Sequence, residues 1–546
     1  MNAILRHFNP KEIVGGVILE RDLFVTMQDG VRLATNVFRP TVPGKYPVIL
    51  SVTPYSKDKL PDRKSMFFMR LAGVRFGNLC CSRWTGFEAP DPLYWVKQGY
   101  VVMQSDVRGM HKSEGSASVL SDQDAQDYAA LIAWAAAQTW SNGNVGLLGV
   151  SYLAMSQWRV AALQPPALKA ICPWEGATDM LREFGYQDGV PETGFIPTWW
   201  KNRIISGRNK QFPLAEDFPA EVNEHPCDGA FWVSKKPVLE NIQVPALVCG
   251  SWSDHGLHTR GSFVGFERIS SQHKWLFTHG RRKWETFYDE ESLALQTKFF
   301  DHFLKGHDNQ MQAVPKVRLE RRRSFYQADI RFEDVWPLKT MAIPLYLSGS
   351  TGTLNKQPVQ NKSSVLYSSA DKKTDKARFS LSFDQDTELT GSMRLKLWVS
   401  ATEADDMDIF ATVHKFDAQG YEVFFAGYNG FAHDCAAKGW LRASHRELDS
   451  SLSTNLRPWH THRTAEKVKP ETIVPVEIEI LPSSTFFESG SSLSLDIQAH
   501  DASHYPAFAH DESTRHGSYY VHCGGQFDSQ FVIPYIESGF RTLPPA

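Results

Sequence analysis

Ser151 stands in "NVGLLGVSYLAMSQW", where a short apolar run, Val145 to Val150, gives way to helix-like periodicity from about Leu153. A strand that runs directly into a helix must turn sharply. Such a turn lifts a side chain clear of the sheet and aims a helix N-terminus at whatever binds there. A serine at that point is equipped to attack a carbonyl. Gly149 lies two positions before it, but Leu153, not glycine, lies two after, and Ala154 is the next small residue. Taken alone, the stretch fits a helix-capping serine equally well.

A nucleophilic serine needs a base to take its proton and an acid to orient that base. On an open sheet the order serine, acid, histidine places each after its own strand. Asp254 follows "ALVCGSWS" just past a strand end, and His279 closes the next run, "KWLFTH". These two are the expected acid and base. His255 and His258 are rivals for the base, but they belong to the acid's own loop, early in the strand order. His302 lies in an amphipathic helix, where a packed or solvated histidine is ordinary.

The elements that must hold these residues fall into three regions. Up to residue 154 the chain reads as alternating strands and helices. "LFVTMQDGVRLATNVFRP" is a hairpin turned at Asp29-Gly30, "YPVILSVTPY" and "YVVMQSDVRG" are buried strands, and "SDQDAQDYAALIAWAAAQ" is a helix with an acidic first turn. That order predicts a mostly parallel sheet covered on both faces. Residues 155–240 are helical or irregular and read as an insertion. The strand pattern resumes over 241–335 with "VPALVCGSWSD" and "HKWLFTHG", followed by the helix "ESLALQTKFFDHFLKG" ending at Gly306. Residues 336–546 read as short alternating strands, an all-β sandwich of the jelly-roll kind.

Composition narrows the function. A chain of 546 residues is too long for one core. The net charge of -3 asks for neither nucleic acid nor an anionic membrane as partner. The seven cysteines, Cys80, Cys81, Cys172, Cys227, Cys249, Cys435 and Cys523, have no zinc or redox spacing. They read as free thiols of a reducing compartment. With no apolar leader and no membrane-length run, a cytoplasmic protein is expected. A homo-oligomer remains open.

Several long segments make the chain resemble the serine hydrolases of the cocaine esterase and X-Pro dipeptidyl-peptidase (CocE/NonD) superfamily. They include "DGVRLATNVFRP", "TPYSK", "DVRGMHKSEG", "GVSYLAMSQW", "GSWSDHGLHTRGS", "HGRRKW", "FFDHFLKG", "GWLRASHRELD" and "HCGGQFDSQFVIP". The family's elbow reads G-x-S-Y-x-G, which accommodates Leu153, with Ala154 in place of the last glycine. Some relatives carry the histidine in a "GPWSH" segment. This chain has "THGRRKW" there, and the role is carried to His279. The resemblance implies an α/β-hydrolase core, a helical cap inserted after the elbow and a C-terminal jelly roll. It also implies an oxyanion hole made by the backbone N–H of Tyr152 and the phenol of Tyr55.

The expected chemistry is hydrolysis of an ester or amide of a small-molecule acyl substrate through an acyl-enzyme, without metal or organic cofactor. Trp84, Trp174, Phe195, Trp199 and Trp200 are candidate pocket walls. Two alternatives stand beside it: an acyltransferase or cyclase using the same acyl-enzyme, and a non-catalytic protein binding carbohydrate through the jelly roll.

Overall fold

The computed structural model describes residues 11–58, 81–325, 327–369, 375–428, 433–501, 509–510, 515 and 517–536. Cys80 lies outside the described residues. The N-terminal part is built on strands β1 (Lys11–Val14), β2 (Val17–Thr26), β3 (Arg32–Pro40), β4 (Tyr46–Thr53), β5 (Val101–Asp106), β6 (Ser141–Val150) and β7 (Leu168–Trp174). A small hairpin, β8 (Tyr186–Gln187) and β9 (Val190–Pro191), stands apart from the sheet. The sheet resumes with β10 (Ala246–Ser251), β11 (Lys274–His279), β12 (Val317–Arg322) and β13 (Ala328–Glu333).

Across the sheet the order is β1-β2-β3-β5-β4-β6-β7-β10-β11-β12-β13. From β5 to β12 neighbouring strands run parallel, and antiparallel strands close both edges. Parallel strands are joined by crossovers that cover both faces, so their residues are buried on alternate sides alike. Every residue of β5, and all of β4 but Tyr46, is buried.

Helix α1 (Asp122–Ala136) buries Ala125, Tyr128, Leu131, Ile132 and Ala135, one face at helical spacing. Its start is set by a reciprocal cap between Ser121 and Asp124, a device that contributes about 1 kcal/mol. Helix α2 (Tyr152–Ala161) follows Ser151, α3 (Thr259–Arg268) follows β10, and α4 (Lys283–Phe287) and α5 (Glu290–Lys305) follow β11. Gly306 ends α5 with φ 72°, the left-handed stop the sequence predicts.

One boundary differs from the sequence reading. β7 lies between β6 and β10 in the sheet, so the core continues to Trp174 instead of ending at residue 154. "LKAICPW" reads as a buried strand, but only its pairing with β6 and β10 assigns it to the core sheet and not to the insertion. The insertion occupies residues 175–245 and carries the β8–β9 hairpin and short helices at Phe195–Trp199, Phe218–Glu224 and Ala230–Val233.

From Met341 on, the described chain is mostly antiparallel β-structure. Its longest strand, Thr387–Ala401, pairs with Val474–Phe487, and Asp408–Phe416 pairs with Ser492–Gln498. Leu395, Leu397, Ile478, Ile480, Leu495 and Ile497 belong to an apolar core separate from that of the N-terminal sheet. Arg322, at the end of β12, joins the two regions by donating to Ala436 O (2.7 Å) and Ser483 Oγ (2.8 Å). Among the described residues no helix is long and apolar enough to cross a membrane.

Candidate active site

Ser151 sits between β6 and α2 with φ 60° and ψ -120°, a conformation natural to glycine and strained for serine. Two things hold it there. Its N–H donates to the carbonyls of Trp174 and Glu175, both at 3.1 Å. The crossing of strand and helix is also too tight for larger residues. A Cβ on Gly149 would lie 2.5 Å from Leu153 Cβ, and one on Gly176 would lie 2.8 Å from Ala154 Cβ. The second contact gives the physical reason that residue 154 is small.

The loop after β10 forms a single helical turn. The N–H groups of Leu257, His258 and Thr259 all donate to Asp254 O, at 3.1, 3.0 and 3.2 Å. This turn stacks His258 over Asp254, four residues apart. His258 Nδ1–H donates to Asp254 Oδ2 at 2.6 Å, and Ser151 Oγ donates to His258 Nε2 at 3.3 Å. Ser151, His258 and Asp254 thus form one continuous relay, with His258 and Asp254 almost fully buried.

His279, the histidine expected as base, has no contact of this kind. It ends β11, is fully buried, and points to the neighbouring strand end. The Arg281 N–H donates to its Nδ1 (3.1 Å), which places its proton on Nε2. That Nε2–H faces Glu175 Oε1 at 2.8 Å and Thr286 Oγ1 at 3.1 Å. With one nitrogen committed as acceptor and the other as donor, His279 has no lone pair for Ser151. His255 turns the other way, toward Pro482 O (3.3 Å), and burial pushes it down to about 3.

Lys283 is the residue that sequence reasoning missed. Its Nζ donates to Asp254 Oδ2 at 2.8 Å and lies 3.1 Å from His258 Nδ1. Two donors therefore share one carboxylate oxygen, while Asp254 Oδ1 has no hydrogen-bond partner. Burial opposes the charge on Asp254, but Lys283 and His258 hold its carboxylate well below the usual range. His258 is pushed below its ordinary value by burial first and by the Lys283 ammonium second, against the pull of Asp254. The neutral Nδ1–H tautomer is compatible with both neighbours, whereas the imidazolium faces a like charge.

Ser151 borders a small pocket lined by Tyr55, Met155, Met180, Phe184, Phe195 and Trp199 among others. Tyr55 Oη accepts the Trp199 indole N–H at 3.2 Å, so its own proton is available to donate. Burial raises the phenol's pKa further, keeping that proton in place. Tyr152 opens α2, and its backbone N–H lies at the helix N-terminus beside Ser151. Of the five aromatic walls expected, Phe195 and Trp199 line this pocket. Trp174 points into the core against Phe277 and Phe287 and donates to Thr286 Oγ1 (3.3 Å). Trp200 packs toward Phe218, and Trp84 sits against Arg21 and Arg83. Glu88 lies at the elbow's edge, its carbonyl accepting Val150 N–H (3.1 Å), and burial raises its carboxyl to about 8.

A strained serine at a strand–helix turn, beside a buried histidine and acid at the C-terminal ends of parallel strands, defines a serine hydrolase of the α/β-hydrolase class. The X-Pro dipeptidyl-peptidase (S15 family) profile matches residues 29–283, and the X-Pro dipeptidyl-peptidase C-terminal non-catalytic domain matches residues 309–532. A CocE/NonD family hydrolase from Staphylococcus aureus superposes with a TM-score of 0.90 at 40% identity, over 95% of this chain and 94% of that one. The chain belongs to the CocE/NonD hydrolase family. Cocaine esterase from Rhodococcus sp. (strain MB1 Bresler) is 28% identical over 393 residues, and the match spans 62% of this chain and 63% of that enzyme. A putative serine esterase from Mycobacterium tuberculosis (strain CDC 1551 / Oshkosh) is 22% identical, over 88% of this chain and 90% of that protein.

Proposed function

We propose that this hydrolase cleaves esters or amides of small apolar acyl groups, with Ser151 as nucleophile, His258 as general base and Asp254 as its orienting acid. The relay Ser151 Oγ–His258 Nε2, His258 Nδ1–Asp254 Oδ2 carries the reading. Ser151 Oγ attacks the substrate carbonyl carbon as His258 Nε2 takes its proton. The oxyanion lies between the Tyr152 N–H and the Tyr55 hydroxyl, donors that typically contribute about 3 kcal/mol each. His258 then delivers the proton to the leaving alcohol or amine, and water releases the acyl group by the reverse route. The pocket's Met, Phe and Trp walls suit an apolar acyl group. The esterase and peptidase relatives favour water as the acceptor over an acyltransferase or cyclase route, and they do not favour a purely carbohydrate-binding role.

The test is labelling and turnover together. A fluorophosphonate should modify Ser151, and Ser151→Ala should lose both labelling and hydrolysis of p-nitrophenyl esters. His258→Ala should lower kcat by about 10³-fold or more, the usual cost of a lost triad base. His279→Gln should retain most of kcat and lose thermal stability instead. The reverse ranking of the two histidines would return the base to His279.

A further inference from the structure

A second histidine cluster lies where the cap hairpin meets the C-terminal β-region. Asp188 occupies the β8–β9 turn with φ 44°, followed by Gly189 at φ 87°, the paired left-handed conformation of a tight hairpin. A Cβ on Gly189 would lie 2.7 Å from His445 Cγ, so the turn and that imidazole are in close contact. His460 and His462, from "WHTH" far along the chain, complete the group. Asp188 Oδ1 lies 3.2 Å from His462 Nε2 and 3.4 Å from His460 Nδ1, and the three atoms lie within 4.8 Å of one another.

We propose that Asp188 Oδ1, His460 Nδ1 and His462 Nε2 bind a zinc-type divalent ion that clasps the cap to the C-terminal region. The two distances to Asp188 Oδ1 match the edges of a coordination polyhedron. Metal bonds of about 2.0–2.1 Å at tetrahedral angles put neighbouring ligand atoms ~3.3 Å apart. Two imidazoles and a carboxylate suit zinc and its neighbours in the first transition row.

The outer hydrogen bonds point the same way. His460 Nε2–H donates to Glu477 O at 2.9 Å, which leaves Nδ1 as the nitrogen that can ligate an ion. That Nδ1 is buried and has no hydrogen-bond partner, although a carboxylate oxygen faces it. The carboxylate oxygen and this nitrogen need a cation between them, and a metal ion held by all three groups supplies it. His462 Nδ1 lies 3.1 Å from His445 Nδ1, which accepts its proton when Nε2 ligates the ion. Metal-bound histidines characteristically hold their second nitrogen in this way. Asp188 keeps 12% of its side chain exposed, enough for a water as fourth ligand. Arg182 is nearby, but Asp179 (2.7 Å) and Asp228 (3.1 Å) balance its charge, and it donates to the carbonyls of His460 and Thr461.

Among the described residues, the other close set of ligand atoms, Glu175, Cys249 and His279, lacks this feature, because both nitrogens of His279 are already hydrogen-bonded. The clasp also has a route to the active site. Gln187, next to Asp188, donates through Nε2 to Gly256 O (3.0 Å) in the loop that carries Asp254 and His258. An ion at Asp188 would steady that contact, though ion binding itself does not depend on how the triad is read.

The full chain, stripped with a chelator, is titrated with Zn²⁺ by calorimetry, and bound zinc is counted by mass spectrometry after desalting. One ion per chain is expected, with Kd below about 1 µM and a melting temperature that rises with zinc and falls with chelator. Co²⁺ in its place should show the visible absorption of a tetrahedral ion. Asp188→Asn and the double variant His460→Gln/His462→Gln should weaken zinc binding at least 100-fold, while His279→Gln should not. Failure of the wild-type chain to take up one ion, or binding that survives in the double variant, overturns the proposal and assigns the cluster to a shared proton. The wild-type titration decides the matter even where a variant does not fold.

Discussion

Lys283→Met should move the acidic limb of the pH–rate profile upward. In the wild-type chain the Lys283 ammonium lies 3.1 Å from His258 Nδ1 and shares Asp254 Oδ2 with it. Both effects disfavour the imidazolium, and His258 stands below the ordinary histidine value of 6.5. A histidine base works in its neutral form, so activity should set in below pH 6.5 and persist above it. Two unit charges ~4 Å apart interact by about 4 kcal/mol at an effective dielectric of ~20. At 1.36 kcal/mol per unit that sets a ceiling of roughly 3 pH units. Relaxation and water entry reduce it, and a rise of about 1–2 units is expected. The variant should therefore be weak near pH 6 and recover by about pH 8–9. Methionine keeps the length of the side chain but leaves Asp254 with one partner fewer, and breaking a buried pair costs about 3–5 kcal/mol. Each preparation should accordingly be normalised by fluorophosphonate titration of folded sites. The assay is kcat/KM for a p-nitrophenyl ester across pH, read at a wavelength insensitive to nitrophenol ionisation. An acidic limb that stays in place or moves down refutes the electrostatic role of Lys283 and, with it, the geometry assigned to His258.

Tyr55→Phe should keep the chain folded, because the ring still packs against Phe87 and Tyr152, with a modest fall in melting temperature as the buried Trp199 indole N–H loses its acceptor, a cost of about 1–3 kcal/mol. It should lower kcat by about 10²–10³-fold with little change in KM on a chemistry-limited ester; near-normal kcat would remove the phenol from the oxyanion hole. Ser151→Gly should abolish turnover yet stabilise the fold by about 1 kcal/mol, since glycine adopts φ 60° without strain. Denaturant unfolding of Ser151→Gly beside Ser151→Ala reads this directly, and equal stability of the two would mean that the elbow stores no strain.

Local pattern carried much of the architecture. The apolar runs of β4, β5 and β10, the capping signals of α1, and Gly306 after α5 are consequences of neighbours in sequence, and the chain folds accordingly. The run that forms β7 reads as a strand, but its place in the core sheet is set by pairing with β6 and the distant β10, which no local pattern reveals. His258 was legible in one respect: aspartate and histidine four apart meet on a single helical turn. Strand order alone pointed past it to His279.

What the sequence by itself determined is the order of strands and helices, the sharp turn at Ser151 and the two loops that follow β10 and β11. These depend on periodicity and on residues only a few positions apart. Which histidine meets the serine was decided by the tertiary structure, because the outcome turns on where protons lie. The Arg281 amide and Glu175 occupy both nitrogens of the His279 ring, and the turn at Asp254 lifts His258 to Ser151. The place of Lys283 and the meeting of Asp188 with His460 and His462 were likewise settled only by folding. Each depends on contacts between distant segments, whose distances follow from how the cap and the β-region pack and leave no mark on the local pattern.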